Sequence, residues 1–275
     1  MSKVGLQTAA RCRALILLVV SSLVGAFAVV VPAKSAAWLQ DEGDGQAIVT
    51  GLFSQADQAF TERYDVTEDA DFQKGTGSLL IDYGLVDWLT ITGSAEFGSE
   101  TSDDLPFKRP GLSHASLGAR TKLYRSNTYA MSAEIGILTE DVFGEADALV
   151  DTYGWDSPLL EARWSGGANF ELLGKQAFSE VSVGYRYRLG DGPDEMVIDT
   201  TLGLRVFEKT MLLGQTFSTF AVRPEEESYG HQKAQGSVVY DLSERWSVQA
   251  GGFATVVGHN ALKERGAFSA IWYRF

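Results

Sequence analysis

Apolar and polar residues alternate with a period of two along most of the chain after residue 37. In the segment 88–98, every second residue is apolar or small, and the residues between them are polar. The same alternation returns in the segments 129–138, 160–172, 181–189 and 248–256. Since successive side chains of a strand point to opposite faces, each segment predicts a β-strand with one apolar and one polar face.

About twelve segments of this kind are predicted, each near the 9–11 residues that a tilted membrane strand needs. No convincing helical period appears after residue 37. In two segments, 44–54 and 211–222, apolar residues fall on both faces, so their facing is left open. The predicted strands cover 44–54, 72–83, 88–98, 112–124, 128–138, 159–172, 177–189, 195–207, 211–222, 232–241, 246–257 and 265–275.

The connections between these strands alternate between short and long. Turns such as 125–127 and 208–210 alternate with loops such as 99–111 and 139–158, and the long loops are rich in Asp and Glu. Short periplasmic turns and longer outer loops are typical of outer-membrane barrels. We therefore predict an all-β fold, a single antiparallel transmembrane β-barrel of about 12 strands with short periplasmic turns and longer acidic outer loops. An even strand number places both ends of the barrel on the short-turn side.

Composition excludes several other classes of protein. The 275 residues are 45% hydrophobic and 21% charged, which argues against disorder. The net charge of −13 argues against nucleic acid as a partner, because phosphates require a basic surface. The single cysteine, Cys12, excludes a disulfide framework and any multi-cysteine zinc site. No metal site and no cofactor are predicted.

The N-terminal segment has the pattern of a secretory signal peptide. Basic residues precede an apolar run over 14–31, Pro32 ends the run, and the small residues Ser35, Ala36 and Ala37 follow. We predict that residues 1–37 are cleaved and that the mature barrel spans residues 38–275, with a net charge of −17 and no cysteine. The alternative is an uncleaved anchor helix in the inner membrane.

Aromatic residues flank the predicted short turns, as in Tyr83 and Trp88, Tyr124 and Tyr129. Such clustering is typical of the aromatic girdle of a membrane barrel, although Tyr and Trp also favour strands in general.

The last predicted strand alternates apolar or small residues with the rest and ends on Phe275. This ending, with Ile271 and Tyr273 at alternate positions, resembles the C-terminal signature of Gram-negative outer-membrane β-barrels. The resemblance implies location in the cell outer membrane, contact with its lipid and lipopolysaccharide, and recognition of Tyr273 and Phe275 by the barrel-assembly machinery. The segment 83–90 is also similar to a hairpin of small outer-membrane transporter barrels, including those named for phenol degradation.

Strand parity turns a set of charged residues toward the lumen, where each must be hydrated or paired. Two interpretations stay open: the charges form ion pairs that fill a closed structural lumen, or they line a narrow, water-filled pore. Interspersed Gly, Ser and Thr favour the pore. The candidates are Asp82, Glu96, Arg120, Lys122, Glu134, Glu161, Arg163, Arg186, Arg188, Arg205, Lys233 and Arg274.

The leading functional hypothesis is a passive or weakly selective channel for small solutes. In this hypothesis arginines of three neighbouring strands form a basic wall with acids beside and opposite it. The alternative is a structural or interaction barrel with a closed lumen. A third hypothesis, an outer-membrane lipid hydrolase, depends on His114-Ala115-Ser116 alone, and we predict that the protein is not an enzyme.

Overall fold

A computed structural model describes residues 36–67, 70–102, 111–140, 157–190, 192–222 and 229–275, and within these ranges the regular structure is all β. Turn chemistry and period-two alternation place the strands close to their predicted positions. The strands are β1 (Gly45–Ala56), β2 (Ala59–Phe60), β3 (Val66–Thr67), β4 (Phe72–Val86), β5 (Leu89–Ser102), β6 (Gly111–Arg125), β7 (Tyr129–Glu140), β8 (Leu159–Leu172), β9 (Lys175–Arg188), β10 (Glu195–Phe207), β11 (Thr210–Ala221), β12 (Gly230–Asp241), β13 (Trp246–His259), β14 (Ala261–Leu262) and β15 (Arg265–Arg274).

Twelve of these strands close into one antiparallel barrel, which confirms the predicted fold class. Around the ring the order is β1, then β4 to β13 in chain order, and then β15, which pairs with β1 and closes the barrel. The two ends of the barrel meet at this seam, where the N–H of Gly45 donates to the carbonyl of Phe275 at 2.8 Å and the N–H of Phe275 donates back at 3.0 Å. Both ends therefore lie on the short-turn side, as an even strand number requires.

Alternate side chains of the barrel strands face outward and inward. Ile135 on β7 is 69% exposed on the outer face, whereas its neighbour Glu134 pairs inside with Arg120. Tyr83, Trp88 and other aromatics are exposed beside the short turns, in the position of a girdle.

The sequence left the facing of β1 and β11 open, and a hydrophobic cluster inside the lumen explains why. Ile48 of β1 and Met211 and Leu213 of β11 point inward and pack in this cluster, while Val49 and Leu212 are exposed outside. Apolar residues occupy both faces of these strands because one face meets lipid and the other meets this inner core. The other members of the cluster are Phe178, Val239, Ala270 and Trp272.

The long connection between β1 and β4 is partly ordered at the loop end of the barrel. Its strands β2 and β3 form a small sheet with β14, in the order β14-β2-β3. Phe60 of β2 is buried against Gly258 of β13. None of these two-residue strands has an alternation that the sequence could reveal.

Parts of the chain that carry sequence predictions lie outside the described residues. They include the signal-peptide segment 1–35 and most of the acidic loop residues, among them Asp103, Asp104 and Glu225. Over the ranges that are described, no helix is long and apolar enough to cross a membrane.

Candidate functional site in the barrel lumen

A chain of alternating acids and bases covers the luminal wall of β8, β9 and β10. Glu161 accepts from Arg163 Nε at 2.6 Å and from Arg186 Nε at 2.5 Å. Arg163 also pairs with Asp199, and Arg186 Nη1 lies 3.1 Å from Glu195 Oε2. Each base is thus held between two carboxylates: Arg163 lies between Glu161 of its own strand and Asp199 two strands away, and Arg186 lies between Glu161 and Glu195 of its two neighbouring strands.

This chain of ion pairs is neutral rather than basic, which differs from the predicted arrangement. Arg188, deeply buried, continues the chain with Nη2 at 3.4 Å from Glu195 Oε1, and Tyr229 also donates to Glu195. The three arginines 163, 186 and 188 are therefore balanced by Glu161, Glu195 and Asp199. Strand parity predicted acids mainly beside and opposite these arginines. Parity tells which face of a strand a side chain lies on, but it does not tell which side chain it pairs with.

A second cluster joins β4, β6 and β7. Arg120 Nε lies 2.7 Å from Glu134 Oε2, and its Nη1 lies 3.8 Å from Asp82 Oδ2. Thr92 of β5 donates to the other oxygen of Glu134 at 2.8 Å. With two carboxylates and one guanidinium, this cluster carries one net negative charge.

The remaining candidates lie nearer the two rims. Glu96 pairs with Lys74 at 2.9 Å on the loop side. On the short-turn side, Arg205 Nη1 and Arg274 Nη2 lie 2.8 and 3.7 Å from the carboxylate oxygens of Asp241. Lys122 donates from its ammonium to the Asp87 carbonyl at the turn between β4 and β5.

Lys233 forms a further pair at the loop side, with Glu264. The carboxylate of Glu264 also accepts from the Ser54 hydroxyl at 2.5 Å. Burial alone would raise the pKa of Glu264, but the Lys233 ammonium and the Ser54 hydroxyl together hold that pKa below its ordinary value. This contact ties β1, β12 and the segment before β15 together at the loop end.

The segment before β1 crosses the lumen at the short-turn end. The N–H of Gln40 donates to Thr90 on β5 at 3.1 Å, and the N–H of Ala37 donates to Glu180 on β9 at 2.7 Å. In the ring, β9 is six strands from β1 in either direction, so these contacts span the full diameter. Trp38, only 3% exposed, reaches Phe178 edge-on with ring centroids 6.4 Å apart.

Glycines provide the room that this segment needs. A Cβ at Gly167 of β8 would lie 2.2 Å from the Trp38 ring, and one at Gly84 of β4 would lie 2.1 Å from the carbonyl oxygen of Asp41. Side chains larger than hydrogen at these positions are incompatible with the observed course of the segment. At the rim, Asp41 pairs with Arg125 at 2.7 Å.

The hydrolase motif gains no support from the geometry. His114 and Ser116 lie on one face of β6, but Ser116 Oγ shares its hydrogen bond with Ser94 at 2.6 Å, and none joins it to His114 among the described residues. A β-bulge in the β12–β13 pair sets His259 opposite Gly230, so alternation turns His259 away from the face of His231. Within the described ranges, no three His, Cys, Asp or Glu side chains converge on a metal-sized site.

Several luminal residues with a clear role in the site were missed by sequence reasoning. Lys74, Glu195 and Asp241 complete ion pairs, and their strand parity could have identified them. Trp38 and Glu180 are different, because nothing in a period-two pattern signals a segment that folds into the barrel.

Comparison with solved structures finds outer-membrane channels and porins. An outer-membrane channel from Pseudomonas putida F1 has a TM-score of 0.68 at 15% identity, over 90% of this chain and 100% of that one. The KdgM porin has a TM-score of 0.51 at 8% identity, over 83% of this chain and 99% of the porin. The NanC porin has a TM-score of 0.52 at 7% identity, over 82% and 98%. No family model and no curated protein sequence matches the chain.

Likeness at this level of identity establishes the fold. It is the fold that the alternation predicts, and it carries no information on the solute. The resemblance seen at the C-terminal strand is confirmed by the closed barrel itself: this chain has the fold of Gram-negative outer-membrane β-barrels.

Proposed function

We propose that the protein is a passive, weakly selective outer-membrane channel for small solutes. The observation that carries the proposal is the luminal wall of β8 to β10, where charged side chains form a continuous chain of balanced ion pairs. A wall of balanced charge offers polar contacts to hydrated solutes of either sign without strongly favouring one. The channel-type fold of the structural neighbours supports the same function.

The proposal includes the predicted processing and partners of the chain. Residues 1–37 are removed on export, and Tyr273 and Phe275 form the signal for the barrel-assembly machinery. Phe275 lies at the seam between β1 and β15 and stacks with Tyr273 at 5.8 Å between ring centroids. The mature barrel is surrounded by outer-membrane lipid and lipopolysaccharide, and no reaction is assigned to it.

Conductance in a planar lipid bilayer tests the channel. We expect the purified barrel to give discrete current steps with a reversal potential near zero in a salt gradient. Replacing Arg186 and Arg188 together by Gln should shift the reversal potential toward cations, because Glu161, Glu195 and Asp199 would then outnumber Arg163.

The matched control removes two positive charges outside this wall, by Lys175→Gln with Lys209→Gln at the exposed short turns. That variant should keep the wild-type reversal potential. A conducting arginine variant with an unchanged reversal potential would show that these arginines do not line the ion path.

The second candidate function is a structural barrel with a closed lumen. The inner hydrophobic cluster and the segment across the lumen favour it, since both fill space that a solute would need. In that case the wild type gives no current in the bilayer. The double arginine variant has a lower melting temperature, because its carboxylates are left unpaired.

A further inference from the structure

Glu180 is a buried carboxylate in an unusual position. It is 8% exposed on the luminal face of β9. Within the described part of the chain it has no ion pair with a lysine or arginine side chain; it accepts from the N–H of Ala37 at 2.7 Å and from the Ser182 hydroxyl at 3.5 Å. The guanidinium of Arg120 is bound instead to Glu134 and Asp82. A buried carboxylate with only neutral donors is costly.

The backbone nitrogen that reaches Glu180 belongs to the predicted cleavage site. Ala37 is the last residue of the predicted leader, and the segment after it is fixed at Trp38 and Gln40 inside the lumen. Cleavage after Ala37 converts the nitrogen of Trp38 into an ammonium group. Consecutive Cα atoms are about 3.8 Å apart, so this group lies within reach of the same glutamate side chain.

We propose that Glu180 is the binding site for the α-ammonium group that processing creates at Trp38. The new positive charge replaces a neutral donor and forms a charge-assisted hydrogen bond in a buried setting. The pair holds the end of the segment against β9, on the wall opposite β1, so that the first residues of the mature chain span the lumen. The proposal rests on the proposed removal of residues 1–37 and not on conduction.

Amine labelling of the purified, processed barrel tests this site. The intact mass should identify Trp38 as the first residue. The barrel is then treated with an N-hydroxysuccinimide ester at neutral pH, and peptide mapping compares labelling of the Trp38 α-amine with labelling of the exposed Lys175. We expect relative labelling of Trp38 to be about tenfold faster in Glu180→Gln, because the amine loses its ion pair and is released to solvent. Glu171→Gln, a charge change at an exposed position of the next strand, should label as the wild type does.

A second variant separates the ion pair from any effect of Glu180 on folding. Insertion of Gly-Ser between Ala37 and Trp38 leaves Glu180 in place and moves the α-ammonium group two residues away. We expect the same faster labelling in this variant. Labelling as slow as in the wild type in both variants overturns the proposal, as does a purified chain that retains Met1. The labelling experiment measures no current, so a negative result rejects the Glu180 site and leaves the channel proposal untouched.

Discussion

Individual charges in the lumen were located by alternation, but their partners were not. Glu161 and Arg163 follow the same face of β8, so their presence in the lumen is predicted from the sequence alone. That Arg163 also reaches Asp199 depends on the tilt and curvature of a closed sheet, which no local pattern contains. For the same reason the predicted basic wall is a neutral one.

Small residues on the strands mark places where another part of the chain packs closely in the lumen. Gly167 interrupts the alternation of β8 without a turn, and the structure shows that the Trp38 ring occupies the space of its missing side chain. Since interiors are close-packed, an added methyl group there must displace the ring or the strand.

Gly167→Ala should therefore destabilise the barrel by about 1–3 kcal/mol or release the N-terminal segment. Urea unfolding of the refolded barrel measures the first effect, and faster amide hydrogen exchange at Gln40, whose N–H is bonded to Thr90, measures the second. Gly51→Ala, at a position with open space around it, serves as the control and should change neither quantity. Wild-type behaviour of both variants would contradict the packing of Trp38 against Gly167.

At the scale of elements, the sequence predicts the strands well because strand periodicity is local. Membrane and lumen impose opposite polarity on alternate residues, and each barrel strand records that difference along its own length. The strands β1 and β11 are the exceptions. There the inner face is apolar as well, because Ile48, Met211 and Leu213 pack in the luminal cluster.

Elements without periodicity could not be predicted. The strands β2, β3 and β14 have two residues each and depend on pairing between distant parts of the chain. The segment before β1 has no periodic pattern of its own. Its course is determined by tertiary contacts with β5, β7, β8 and β9 rather than by its own pattern.

The two faces of the barrel should differ in their tolerance of charge. Ile135→Arg, at the outer face in the middle of β7, should cost about 2–4 kcal/mol of unfolding free energy in lipid bilayers. Ser78→Arg, at an inward position of β4 opposite Glu96 and Thr50, should cost much less, because the arginine meets polar side chains of the lumen. Denaturant titration of each variant refolded into vesicles gives both values. Equal costs would contradict either the facing of these strands or the hydration of the lumen.

At the scale of the whole molecule, two contacts organise the barrel at its short-turn end. Gly45 and Phe275 join the first and last barrel strands, and the residues just before Gly45 turn inward across the opening. The loop end is tied separately, through Glu264 with Ser54 and Lys233. The short-turn end is thus the narrowed end of the proposed channel.

In the proposed channel this N-terminal segment limits passage through the lumen, and single-channel conductance of a deletion variant tests that role most directly. Removing residues 38–43 takes away the buried Trp38 and Leu39 while leaving β1 intact. We predict a conductance roughly twofold or more above that of the wild type, because the narrowest part of the path is widened. Trp88→Ala, which removes an exposed tryptophan at the same end, should conduct as the wild type does. An unchanged conductance in the deletion variant would contradict the claim.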